Sequence, residues 1–106
     1  MIKLPVPKQL KIGPHEYTTS FNHEIRLKDS CSGYINYRLK TIELDPVEGQ
    51  SERQVILLHE VIHGISEVFN VEISEPDTDR IANGLAMFLR DNFEVEFTFE
   101  GIDGHS

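Results

Sequence analysis

The chain has 106 residues, 18 Asp and Glu against 10 Lys and Arg, a formal net charge of −8, and 39% hydrophobic residues. That length suits one domain with a modest core and leaves no room for a second substrate-binding lobe. The acidic balance, with no Lys/Arg cluster, argues against a nucleic-acid partner, and no apolar run suits a signal peptide or membrane span, so a cytoplasmic protein without membrane contact is expected. The single Cys31 cannot form an internal disulfide and lacks the neighbouring cysteine of a zinc ribbon, so it reads as an inert or weakly exposed thiol.

Residues 1–7 include Pro5 and Pro7 and read as an extended lead-in in which no helix can start. Residues 10–12 and 17–21 have strand composition, with Gly13-Pro14 as the turn between them. The polar stretch 22–32 reads as a loop. Within it His23-Glu24 begins a metal-binding pattern, but Leu27 stands where the second histidine would be needed. Residues 33–37 and 40–44 are strand-like, the second alternating with Ile42 and Leu44 inward, and Asp45-Pro46 closes the sheet before a helix. A strand beside a metallopeptidase helix commonly holds substrate in extended form, and these residues serve equally well as ordinary sheet.

The next stretch contains His59-Glu60-Val61-Ile62-His63, and its surroundings are helical. Ser51 followed by Gln54 is a capping-box start. Val55, Leu58, Val61, Ile62, Ile65 and Phe69 share an apolar arc, while Glu52, Arg53, Glu60 and Glu67 fill the opposite sector. The histidines sit at the seam. Four residues apart on one helix, they can both reach a single metal ion at about 2.0–2.1 Å. Glu60 lies about 100° round the helix, too far to be a third ligand but able to reach a water at the metal. The plain alternative is a pair of seam histidines on a core helix.

Ser74-Glu75-Pro76-Asp77 is a second helix start, with Ser74 as cap, proline in the first turn and acids at the positive end. The helix is expected to run to about Asn92. Ile81, Ala82, Leu85, Ala86, Phe88 and Leu89 form its apolar arc, bordered by Asp79, Asn83 and Arg90. Asp79 therefore also sits at a seam, and the metal needs one more protein ligand to reach three beside an open position. In the tail, Phe93, Val95, Phe97 and Phe99 alternate with Glu94, Glu96, Thr98 and Glu100, the period of a half-buried strand. Such a strand either covers the domain's own core or docks on a second copy, which would make a homo-oligomer.

Taken together, the strand-rich first half, His59-Glu60-Val61-Ile62-His63 and Asp79-Arg80-Ile81-Ala82-Asn83 resemble the small phage- and prophage-encoded ImmA/IrrE-like zinc metallopeptidases, minimal relatives of the thermolysin-type gluzincins. The resemblance implies an α+β fold in which a small antiparallel or mixed sheet packs on two main helices, forming a single domain over 1–106 with 93–106 as a strand-like tail. It implies Zn²⁺ as cofactor, with His59, His63 and Asp79 as metal ligands and Asn83 supporting a ligating histidine. The aspartate is one methylene shorter than the family's usual glutamate, so either the helices approach more closely or Glu75, one turn earlier, takes the role. Glu60 would be the general base. The substrate would be a peptide or protein, a phage or host regulatory protein in the host cytosol. Tyr34, Tyr37 and His105 are each conceivable oxyanion donors. The competing reading is a non-catalytic, zinc-stabilised phage accessory or interaction module, against which Glu60 speaks, since a purely structural site has no need of a base.

Overall fold

The computed structural model describes residues 1–25 and 32–102; Leu27, Cys31 and His105 lie outside them, so the readings of those residues do too. The strands are β1 (Ile2–Pro5), β2 (Gln9–Ile12), β3 (His15–Phe21), β4 (Gly33–Asn36) and β5 (Thr41–Leu44), followed by helices α1 (Gln50–Phe69) and α2 (Glu75–Phe93), strand β6 (Val95–Thr98) and a 3₁₀ turn over Glu100–Ile102.

Gly13 takes φ 59° in the turn that folds β2 back on β3, a conformation glycine adopts without strain. The four-stranded sheet has the order β2-β3-β5-β4. It is mixed: β3 and β5 run parallel while the other two pairings are antiparallel, so β4 forms an edge. Ile42 and Leu44 alternate inward as expected and are fully buried, and they form a core with the buried Tyr17, Ile35, Leu57 and Phe99.

Helix α1 lies over this sheet and α2 lies against α1. The fold is therefore α+β, two helices on a small mixed sheet. No described helix is long and apolar enough to cross a membrane. Among the residues of α1, Leu57 joins the sheet-side core and Leu58 and Ile62 pack with Ala82 and Ala86 of α2. A helix covered on two sides has two apolar faces, and the single arc read from the sequence merges them. Two corrections follow. Glu60, assigned to the polar sector, is only 4% exposed, whereas Ile65 and Phe69, assigned to the core arc, are 40% and 57% exposed. The helix approaches the sheet closely at Gly64, where an added Cβ would stand 2.6 Å from Ile12 Cδ1.

The expected capping box at Ser51 is not formed. The N-cap of α1 is Gly49, with no side-chain hydrogen bond, and Gln54 instead turns away to accept from the Phe97 amide at 3.0 Å and to donate to the Val95 carbonyl at 3.4 Å. Gln50 also donates to the Phe97 carbonyl. At the start of α2 the Ser74 hydroxyl does accept from the Asp77 amide at 3.2 Å, with proline in the first turn.

The lead-in is more than a lead-in: β1 pairs in parallel with β6. This sets residues 2–5 beside residues 95–98, and Val95 and Phe99 are buried within the chain's own core while Phe93 ends α2 and stays exposed.

Candidate metal centre

The antiparallel return from α1 to α2 sets the last turns of one helix beside the first turn of the next. Ser74 fixes where α2 begins, and so places Glu75 as its first residue, facing the two histidines of α1. Glu75 Oε1 lies 2.9 Å from His63 Nε2 and 3.2 Å from His59 Nε2. One ligand atom each from His59, His63 and Glu75 falls within 4.8 Å of the others, so this group could hold a metal ion. The spacing suits one: donors at about 2.1 Å from a tetrahedral centre stand about 3.4 Å apart.

Asp79 is also present. Its Oδ1 lies 3.3 Å from His59 Nε2, on the side of that ring away from Glu60. The sequence thus supplies two acids one turn apart on α2 opposite two histidines one turn apart on α1, with Glu75 spanning both rings and Asp79 meeting His59. Asn83 is not brought to the histidines; its amide donates to the backbone carbonyl of Asp79 at 2.9 Å.

Glu60 supplies what Asn83 does not. Its Oε2 lies 3.4 Å from His59 Nδ1, so the His59 ring is held between a buried carboxylate on one nitrogen and the α2 acids on the other. Burial drives the Glu60 carboxyl up from 4.5 to about 7, opposed by the attraction of His59 and assisted by the charge of Glu75. Room for Glu60 comes from Gly33 on β4, where an added Cβ would stand 3.0 Å from Glu60 Oε2 and 2.5 Å from Ile56 Cγ2. Neither role stands out in the sequence, because both depend on which strand lies under the helix.

The group opens onto a cleft of about 570 Å³ lined by Tyr34, Ile35 and Tyr37 from the β4 side, Ile56, His59, Glu60 and His63 from α1, and Glu75 from α2. Of the conceivable oxyanion donors, Tyr37 follows the odd-numbered residues of β4, the set that faces the helix with Ile35 buried, and its hydroxyl donates to the His63 carbonyl at 3.4 Å. Burial, and then the charges of Glu67 and Glu60, keep its phenol above the ordinary 10, so it is a neutral O–H donor at neutral pH. Tyr34 has the opposite parity and is 43% exposed.

No family model, curated protein or solved structure matches the chain.

Proposed function

We propose that this protein is a zinc-dependent peptidase in which His59, His63 and Glu75 hold the metal and Glu60 is the general base. The observation that carries this reading is the convergence of two imidazoles and a carboxylate beside a buried, weakly acidic glutamate on the floor of an open cleft. The resemblance of the two helix motifs to ImmA/IrrE-like peptidases supports it. Two neutral imidazoles and one carboxylate are a donor set that zinc favours.

What zinc supplies when bound is Lewis acidity, which polarises a carbonyl oxygen and acidifies water near neutral pH. The chain's own groups do the rest. Glu60 takes the proton from the attacking water and returns it to the leaving amine, a role open to a buried carboxyl next to His59 on the floor of the cleft. By the same contact it keeps Nδ1 of His59 oriented, leaving Nε2 for the metal. Tyr37 lines the cleft, and turning its hydroxyl away from the long 3.4 Å contact to the His63 carbonyl would offer a neutral donor to the developing oxyanion. A peptide of a phage or host regulatory protein, cut in the cytoplasm, is the proposed substrate.

A second reading rests on Asp79. It lies 3.3 Å from His59 Nε2, beside the group of His59, His63 and Glu75 but not within it; a turn of its side chain toward His63 would close the group with a fourth protein ligand, the mark of a structural metal in a non-catalytic interaction module. Metal analysis of the purified protein with hydrolysis of a mixed peptide library separates the two. The peptidase reading expects close to one zinc per chain, library cleavage, and a Glu60→Gln variant that keeps zinc but cleaves nothing. Zinc without cleavage supports the structural module, and full occupancy in a His59→Ala, His63→Ala double variant would sink both.

A further inference from the structure

Helix α2 is packed against the order of size. The side chains it turns toward α1 are small, Thr78, Ala82 and Ala86, while Ile81, Leu85 and Phe88 point outward and are 45%, 39% and 52% exposed. The apolar arc expected to enter the core is therefore split, and its larger half is left on the surface. These three residues follow the i, i+4, i+7 spacing of a helix–helix seam, and Phe93 extends it by an edge contact with Phe88, ring centroids 5.7 Å apart. Contiguous exposed apolar side chains of this kind mark a contact surface.

Two further features say what covers it. Gly84 sits in mid-helix on the flank of this stripe, where an added Cβ would meet nothing within 4 Å. A glycine there costs about 1 kcal/mol of helix stability relative to alanine without relieving any contact within the chain, and it leaves the backbone open to close approach by another helix. The charges then favour a copy of the same helix. Arg80 and Asp91 lie on the Gly84 flank at opposite ends of the stripe, each exposed, and each already pairs locally, Arg80 with Asp77 at 2.8 Å and Asp91 with Arg90 at 3.0 Å. A two-fold axis passing beside Gly84 and Leu85 sets a second α2 antiparallel to the first. Ile81 then faces Phe88 of the partner subunit, and Arg80 faces Asp91 of the partner subunit. Both contacts occur twice, as a two-fold interface requires.

We propose that the outer face of α2 is the interface of an antiparallel homodimer, seamed by Ile81, Leu85 and Phe88, closed at Gly84 and flanked by reciprocal Arg80–Asp91 pairs. The seam lies on the side of α2 away from Glu75 and Asp79, so it does not depend on the metal reading. One helix face is smaller than a standard-size interface of about 1,600 Å², so a concentration-dependent dimer with Kd of about 1–100 µM is expected.

Sedimentation velocity on the full chain across that concentration range tests it. The wild type is expected to shift from monomer to dimer, and Leu85→Glu is expected to weaken association by at least about tenfold with an unchanged circular dichroism spectrum. Should Leu85→Glu fail to fold, Gly84→Leu, whose side chain enters open space in the monomer, is expected to give the same weakening. Arg80→Asp and Asp91→Arg should each weaken the dimer and the double exchange should restore it. A wild type that stays monomeric throughout, a dimer indifferent to Leu85 and Gly84, or a double exchange that fails to restore association overturns the proposal.

Discussion

Gln54 offers a test of how β6 is held against α1. Among the described residues, strand β6 pairs with one strand, β1, along one edge. Along the other edge its backbone faces α1, where Gln54, 7% exposed, accepts from the Phe97 amide at 3.0 Å and reaches the Val95 carbonyl at 3.4 Å. The side-chain amide thus stands in for the strand that is missing there. Gln54→Leu conserves volume but removes both bonds. The Phe97 amide, part-buried against the helix, then loses its acceptor, at a cost of about 1–3 kcal/mol, while the longer Val95 contact adds little. A loss of about 2 kcal/mol is expected, which for a chain of this size lowers Tm by roughly 10 °C. Urea denaturation of wild type and variant, with amide exchange at Phe97, reads both the global loss and its local origin. A variant within about 0.5 kcal/mol of wild type, or a Phe97 amide equally protected in both, would refute the clamp.

The third-ligand geometry gives a ranking. Because Glu75 spans both histidines and Asp79 meets only His59, Glu75→Gln should weaken zinc binding by roughly 100-fold and Asp79→Asn by about tenfold in a competitive chelator titration; the reverse order moves the ligand to Asp79. In the metal-free protein, the rise of Glu60 from 4.5 to about 7 means the folded state binds its proton more tightly than the unfolded state. Its stabilising contribution is complete below pH 4.5 and is lost as pH rises through about 7, on the order of 3 kcal/mol, so chelator-treated wild type should lose stability between pH 5 and 8 and Glu60→Gln should flatten that decline. Gly33→Ala should cost about 1–3 kcal/mol, since its Cβ would lie 2.5 Å from Ile56 Cγ2; unchanged stability on thermal melting would show that β4 can back away.

Much of the fold is legible from local pattern alone. The strands on either side of Gly13-Pro14, the inward Ile42 and Leu44, the Ser74 cap and the pairing of two histidines on one helix face follow from side-chain period and turn chemistry, which act over a few residues. What the local pattern misassigns are positions whose role depends on residues far along the chain. Gln54 carries a capping-box spacing but lies beneath a strand 41 residues later, so a distant backbone outbid a nearby one for its hydrogen bonds. Glu60 sits in the polar sector of a one-sided helix, yet α1 is covered on two sides and the carboxyl ends up buried against Gly33. The outward Ile81, Leu85 and Phe88 were indistinguishable from core residues in the helical repeat, because hydrophobic period says which side chains share a face and not whether anything packs on it. Glu75 and Asp79 stand one turn apart, and the sequence pattern favours Asp79, with Glu75 as the alternative. Only the crossing of the two helices, set by the small contacts at Ala82 and Ala86, decides that Glu75 spans both histidines while Asp79 stands beside one.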